Sequence, residues 1–279
     1  MKHTFVQMSL FAIGAMAAIV PPAQAQDWTG AYVGVSAGSS KVSDHNAGLT
    51  FDTTQSGTYG DTVNTFTGAN YFSPGFCAGM AQGQTPVAGC TRDKSKSTVG
   101  VRAGYDWQAG HWVYGGLVDV TGFNLRDSVS GFSTAPDSYS FTRKLKTLAA
   151  VRGRIGWSEK QWLVYATGGF ASADIDRGFA TTNALNSFTA LRTKMAGGVQ
   201  LGVGGEWKFM HNWTVGLEYL NTSLRDAGPV ILAQSSPNTF ASNPFLIANA
   251  EGTSIRRSDA HFRFNTVSLT LSYRFGAMQ

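Results

Sequence analysis

The sequence predicts an all-β fold: an eight-stranded antiparallel up-and-down β-barrel that spans a membrane. Three observations carry the expectation. Apolar residues recur at every second position in most of eight separate stretches, connections between the stretches alternate between short and long, and tryptophans gather beside the short ones. Composition agrees: of 279 residues only 14% are charged, while 12% are aromatic and 33 are glycine. A mean hydropathy of −0.09 argues against a bundle of membrane helices.

Residues 1–25 have the form of a cleaved signal peptide, leaving 26–279 as a single barrel domain. Lys2 and His3 make a short charged start, residues 5–20 are apolar, and Pro21 and Pro22 precede the small-residue site Ala23, Gln24, Ala25. Gln26 stands where a lipid-anchored chain would have Cys. Export predicts an oxidising compartment, so Cys77 and Cys90 are expected to form a disulfide; no His lies near them to suggest a metal site. The net charge of +5 becomes +4 once Lys2 leaves, and it is not gathered into a block that would suit nucleic acid.

Taken in order, the first strand sets Ala31, Val33, Val35 and Ala37 against Tyr32, Gly34 and Ser36. The second, at 99–107, is the cleanest: Val99, Val101, Ala103, Tyr105 and Trp107 oppose Gly100, Arg102, Gly104 and Asp106. The third alternates Tyr114, Val118 and Val120 with Gly115, Leu117 and Asp119, and the fourth Ala149, Val151, Ile155 and Trp157 with Arg152, Arg154 and Gly156. The fifth, at 162–173, is apolar on both faces and its facing stays open. In the sixth, Val199, Leu201, Val203, Trp207 and Phe209 oppose Gln200, Gly202, Gly204, Glu206 and Lys208. The seventh sets Trp213, Val215, Leu217 and Tyr219 against Thr214, Gly216 and Glu218, and the eighth Val267, Leu269, Leu271, Tyr273 and Phe275 against Thr266, Ser268, Thr270, Ser272 and Arg274. Each stretch is roughly 8–13 residues, near the length that crosses a bilayer at a tilt.

Tight turns at Gln108, Ala109 and Gly110, at 158–161 and at 210–212 join strands two to three, four to five and six to seven. The other connections, at 41–96, 123–142, 174–193 and 222–261, run to about 55, 20, 20 and 40 polar residues. That alternation is the layout of short periplasmic turns and long extracellular loops. Trp107, Trp112, Trp157, Trp162 and Trp213 flank the short turns and Tyr273 lies near the C-terminus, an aromatic girdle at one membrane interface. An open sheet would leave an edge unpaired in lipid, so strand eight is expected to close onto strand one.

Across the strands the chain resembles the small outer-membrane immunogenic and opacity-type β-barrel proteins of alphaproteobacteria. The resemblance is carried by DWTGAYVGVSAG (27–38), VGVRAGYDW (99–107), VYGGLVDV (113–120), AAVRGRIGW (149–157), VYATGGFA (164–171), GVGGEW (202–207), WTVGLEYL (213–220) and TVSLTLSYRF (266–275). It implies an eight-stranded barrel of the outer-membrane-protein-A type in the cell outer membrane, serving envelope integrity and surface contact; some relatives are credited with porin-like or haem-binding behaviour. The family tends to end on an aromatic residue, whereas here residues 276–279 follow Phe275.

Arg102, Arg152, Arg154 and Arg274 share the inward face with Asp106, Asp119, Glu206 and Glu218. A lone charge in a narrow lumen is costly, so these eight are expected to pair as a network that fills the barrel; a conducting pathway is the alternative. His111 and His211 fall in short turns, His45 and His261 in long loops. His261 with Ser258 or Ser254 and Glu251 is the nearest approach to a nucleophilic triad, and it lacks strand-fixed spacing. His261 with Phe262, Arg263 and Phe264 is the nearest approach to a haem or headgroup contact. The glycines of 197–207 alternate within a strand and read as room in the lumen rather than as a nucleotide loop. The sequon at Asn212, Trp213 and Thr214 carries little weight in a bacterial envelope.

The sequence thus predicts a structural, surface-exposed barrel without enzymatic activity, cofactor or metal. A narrow porin or haem-binding receptor is the alternative, and a lipid-A-modifying enzyme a third reading. Expected partners are membrane lipids and lipopolysaccharide, the barrel assembly machinery, and host or surface ligands held by the loops; nucleic acid is not expected.

Overall fold

The computed structural model describes residues 28–43, 48–191, 196–226 and 228–275. The expected signal peptide, Gln26, His45 and residues 276–279 lie outside the described residues. Eight long strands form the barrel: β1 (Gly30–Val42), β2 (Lys96–Ala109), β3 (Trp112–Phe132), β4 (Ser138–Glu159), β5 (Trp162–Thr181), β6 (Ala196–Lys208), β7 (Trp213–Arg225) and β8 (His261–Arg274). Each pairs antiparallel with both of its sequence neighbours, and β8 returns to β1 through a register that sets Tyr32 opposite Arg274 and Val42 opposite Phe264. The ring is closed by hydrogen bonding, as a sheet in lipid requires.

Alternation sorts the faces. Valines, leucines and aromatics of one parity point outward and are exposed, while the opposite parity is buried. The register also decides the facing of the fifth strand: Trp162, Val164 and Phe170 point out, Phe170 being 76% exposed, whereas Leu163, Tyr165, Thr167 and Ala171 point into the lumen. Sequence could not sort this strand because its inward residues are as apolar as its outward ones.

Above the apolar belt the structure departs from the expected loops. β3, β4 and β5 run to 20–22 residues against 13–14 for the other five, so residues 123–132, 138–142 and 174–181, expected as loop, are strand. The β3–β4 connection is only 133–137. Beyond the membrane the outward face becomes polar and the inward face carries the large groups: Leu125, Asp127 and Val129 are buried while Asn124 and Arg126 are exposed. The pairing shifts at this level, between Gly122 and Leu125 and between Leu145 and Thr147, and the inward parity changes on β4 alone, from Leu148, Ala150 and Arg152 in the belt to Leu145, Arg143 and Phe141 above it.

The two longest connections, joined by the β5–β6 connection, fold over the mouth. Short strands Leu49–Asp52, Asn186–Leu191, Val230–Ser235 and Thr253–Arg257 make a separate antiparallel sheet, ordered with Leu49–Asp52 at one edge and Asn186–Leu191 at the other. Its core joins Leu49, Phe51, Val63, Tyr71, Phe72, Ile231, Ala233, Phe245 and Ile255 to Val129, Tyr139 and Phe141 of the projecting strands. Cys77 and Cys90 form a disulfide beside this cap, with Cys77 in the short strand Gly75–Ala78 that pairs with Val129–Phe132 of β3.

Candidate functional site: the barrel lumen

The lumen is built in layers, and each begins with an inward parity. At the short-turn end the fully buried Trp28 forms a floor: its backbone N–H donates to Gln108 Oε1 at 2.7 Å, and its backbone carbonyl accepts from Arg274 Nη1 at 3.0 Å. The Lys208 ammonium and the Arg274 guanidinium both lie 4.7 Å from its ring centroid.

Above the floor the first ion layer joins Arg154 and Arg274 to Asp106 and Glu206. Arg154 pairs with Asp106 and donates to Glu206 at 2.6 Å, while Arg274 lies 2.8 Å from Asp106 and 3.2 Å from Glu206. Tyr32 and Tyr165 sandwich Arg154 at 4.8 and 5.0 Å from their centroids. Their rings occupy space that glycine leaves: a Cβ on Gly104 would stand 2.6 Å from Tyr32 Cζ, and one on Gly204 would stand 2.4 Å from Tyr165 Cζ. The second ion layer centres on Glu218. It accepts from Arg102 at 2.8 Å, from Arg152 at 3.2 Å and from the Tyr165 hydroxyl at 2.9 Å, and Arg152 also donates to Asp119 at 2.7 Å. Ser36, Thr121, Gln200, Thr266 and Ser268 cover this layer around a polar cavity of about 20 Å³, the size of one water.

An apolar layer follows, in which Leu125, Leu145, Leu148, Leu224, Phe262 and Phe264 are all at most 1% exposed, with Ala150, Ala171, Ala173 and Ile175 filling between them. Above it lies a third ion cluster. Arg143 pairs with Asp127 and lies 2.6 Å from Asp259, Arg257 reaches Asp259 at 2.8 Å and Asp127 at 3.0 Å, and Arg177 reaches Asp226 at 2.8 Å. Burial opposes the charge on Asp259, but the Arg257 and Arg143 guanidiniums outweigh it and hold that carboxyl below the ordinary carboxylate range. The cap core closes the stack.

The structure therefore brings together all eight inward charges named from sequence, in two groups of four. The third cluster was missed. Asp127 and Arg177 keep the inward parity of β3 and β5 but fall in segments that the sequence reads as loop, Arg143 lies beyond a phase shift on β4, and Asp226, Arg257 and Asp259 lie in connections with no periodic signal.

The aromatic residues named for the girdle point outward at the short-turn rim. Trp112 meets Trp157 edge-on at 5.3 Å and Trp213 meets Tyr273 at 5.2 Å, while Trp162 stacks on Trp207, a girdle member not singled out, at 5.8 Å. Trp107 lies 4.7 Å from Tyr105, His111 stacks on Trp157, and His211 is exposed in its turn. His261 is not brought into a triad: Ser258 Oγ accepts from the Gly48 N–H at 2.8 Å, and among the described residues no hydrogen bond joins His261 to Ser254, Ser258 or Glu251.

A closed ring with an apolar exterior, aromatic rim and ion-paired interior defines a transmembrane β-barrel of the outer-membrane class. Residues 66–275 match the outer membrane protein beta-barrel domain, and the chain belongs to that family. It is similar along nearly its whole length to the 31 kDa outer-membrane immunogenic proteins of Brucella melitensis and Brucella suis, with 26% identity over 96% of each chain. It is also 31% identical over 122 residues to the 22 kDa outer membrane protein of Rhizobium leguminosarum, covering 44% of this chain and 50% of that one. Among solved structures it is similar to the outer membrane protein OprG of Pseudomonas aeruginosa (12% identity, 90% of this chain, 100% of that chain, TM-score 0.48) and to the outer membrane protease OmpT of Escherichia coli (8%, 92%, 99%, TM-score 0.38). The chain is an outer-membrane protein, and these curated relatives are outer-membrane proteins of alphaproteobacteria.

Proposed function

We propose that this protein is a closed, non-conducting scaffold of the outer membrane. Its barrel supports the envelope, and its cap, on the extracellular side, makes external contacts. The observation that carries the reading is the filled lumen: the apolar layer of Leu125, Leu145, Leu148, Leu224, Phe262 and Phe264 lies between ion-paired layers on both sides. An ion entering it would leave water without gaining a partner. A scaffold needs no catalytic constellation, and the separation of His261 from Ser254 and Ser258 weighs against the enzymatic reading. Expected contacts are lipid along the belt, the assembly machinery during insertion, and surface ligands on the cap.

Planar-bilayer recording of the refolded protein tests this. The expected result is insertion, shown by faster migration of unboiled protein on a denaturing gel, without steady conductance. Steady channels from folded protein would overturn the scaffold reading in favour of a narrow porin.

A further inference from the structure

Three cations stand apart from every ion pair described above. Lys41 on β1, Arg263 on β8 and Arg225 on β7 have the outward parity of their strands and are exposed. Among the described residues none of the three has an acidic partner or a side-chain hydrogen bond, although every buried arginine described above has its carboxylate. The register groups them. Lys41 is opposite Asn265, Arg263 is opposite Ser223, and Arg225 is opposite His261, so the three lie on successive diagonals of three adjacent strands. Such diagonal neighbours are about 7 Å apart, within reach of one ligand by long flexible side chains.

Their level is equally specific. Val267, opposite Tyr219, forms the last large apolar row of this sector, and both are outward and exposed. The next row is Asn221, Asn265 and Lys41, with Asn221 Nδ2 donating to Asn265 Oδ1 at 2.7 Å. Arg263 is one row further out and Arg225 one beyond that. Reading outward from the lipid-facing belt, the surface therefore passes from apolar to amide to cationic within three rows, at the long-loop end of an outer-membrane barrel. The opposite side differs: Lys144 and Lys146 on β4 face Asp174 and Asp176 on β5, and Lys146 is paired with Asp176 at 2.7 Å.

We propose that the β1, β8 and β7 sector is a binding site for the phosphorylated, acylated glycolipid of the outer leaflet, lipid A. Its acyl chains lie on Tyr219 and Val267, its sugar hydroxyls meet the Asn221 and Asn265 amides, and its phosphates meet Lys41, Arg263 and Arg225. Charge complementarity selects this occupant, because three neighbouring unpaired cations repel one another until an anion joins them, and the amphiphilic order of the surface matches that of the lipid.

The test uses refolded full-length protein in zwitterionic detergent. Bound lipid is counted by native mass spectrometry while bisphosphorylated lipid A, the same lipid with its phosphates removed, or inorganic phosphate is titrated. Bisphosphorylated lipid A is expected to bind at least about tenfold more tightly than the dephosphorylated form. Inorganic phosphate at the same concentration should not displace it. The Lys41→Gln, Arg225→Gln, Arg263→Gln variant should lose that preference, with folding checked by gel mobility, while Lys144→Gln, Lys146→Gln keeps it. Equal binding of the two lipids by wild-type protein, displacement by free phosphate, or equal loss in both variants would each overturn the assignment, and the first comparison requires no variant.

Discussion

Glu218 shows at the residue scale how the lumen is held. Its carboxylate is 3% exposed and accepts from Arg102, Arg152 and the Tyr165 hydroxyl, so it neutralises Arg102 and shares the charge of Arg152. Asp119 shares Arg152, but among the described residues Arg102 has no second carboxylate in hydrogen-bond reach. Glu218→Gln therefore leaves a buried cation uncompensated, and the expected loss is about 3–5 kcal/mol of stability. Denaturant unfolding of refolded protein reads it, and the Arg102→Gln, Glu218→Gln double variant should recover part of the loss. A single variant as stable as wild type would mean that the two arginines are hydrated rather than ion-paired. This much of the site was legible in the sequence, since inward parity named the charges. The choice of partners was not: Arg102 and Glu218 are 116 residues apart, and only the stagger of the closed barrel sets them at one level.

At the scale of elements, the long β3, β4 and β5 strands and the connections they support behave as one folded unit above the membrane. Two interactions fix the cap: the aromatic core around Phe72 and the ion cluster around Asp259. Phe72 is 3% exposed and its ring contacts Phe51, Tyr71, Tyr139 and Phe245. Phe72→Ala should cost about 3–5 kcal/mol locally and open the cap to protease at neutral pH, where the wild-type cap is expected to stay intact. Acid should do the same to the wild type by another route. A carboxylate held below its ordinary range contributes stability that is present at neutral pH, so the contribution of Asp259 declines once pH drops into the ordinary carboxylate range and is gone below its lowered folded value. Limited proteolysis of purified protein across pH, with the fragments mapped to 41–96 and 222–261, measures both. Cleavage of wild-type protein in those segments at neutral pH would show that they are mobile loops after all.

For the whole molecule, redundancy is the notable feature. The lumen is interrupted by two ion layers, an apolar layer and a third ion cluster, each complete in itself. Breaching one should therefore alter stability without opening a path. Glu206→Gln is expected to unfold more easily yet stay electrically silent in a planar bilayer, because the apolar layer still excludes ions. Conductance should appear only when that layer also loses bulk, as with Phe262→Ala and Phe264→Ala added to Glu206→Gln. Steady conduction by Glu206→Gln alone would show that the lower ion layers, not the apolar one, form the barrier.

The sequence by itself determined the number of strands, their order, the facing of seven of them, the short turns and the identity of eight inward charges. It could do so because lipid on one side and a narrow interior on the other impose a period of two that is written locally, residue by residue. Only the tertiary structure decided the facing of 162–173, the continuation of β3 to β5 beyond the belt, the cap, and the cluster of Asp127, Arg143, Arg177, Asp226, Arg257 and Asp259. In the fifth strand both faces are apolar; above the membrane the outward face turns polar, and on β4 a bulge shifts the phase, so local alternation there no longer reports its neighbour. The cap and the ion clusters join residues as far apart as Gly48 and Ser258, 210 positions along the chain, and such contacts exist only once closure of the barrel has brought its ends together.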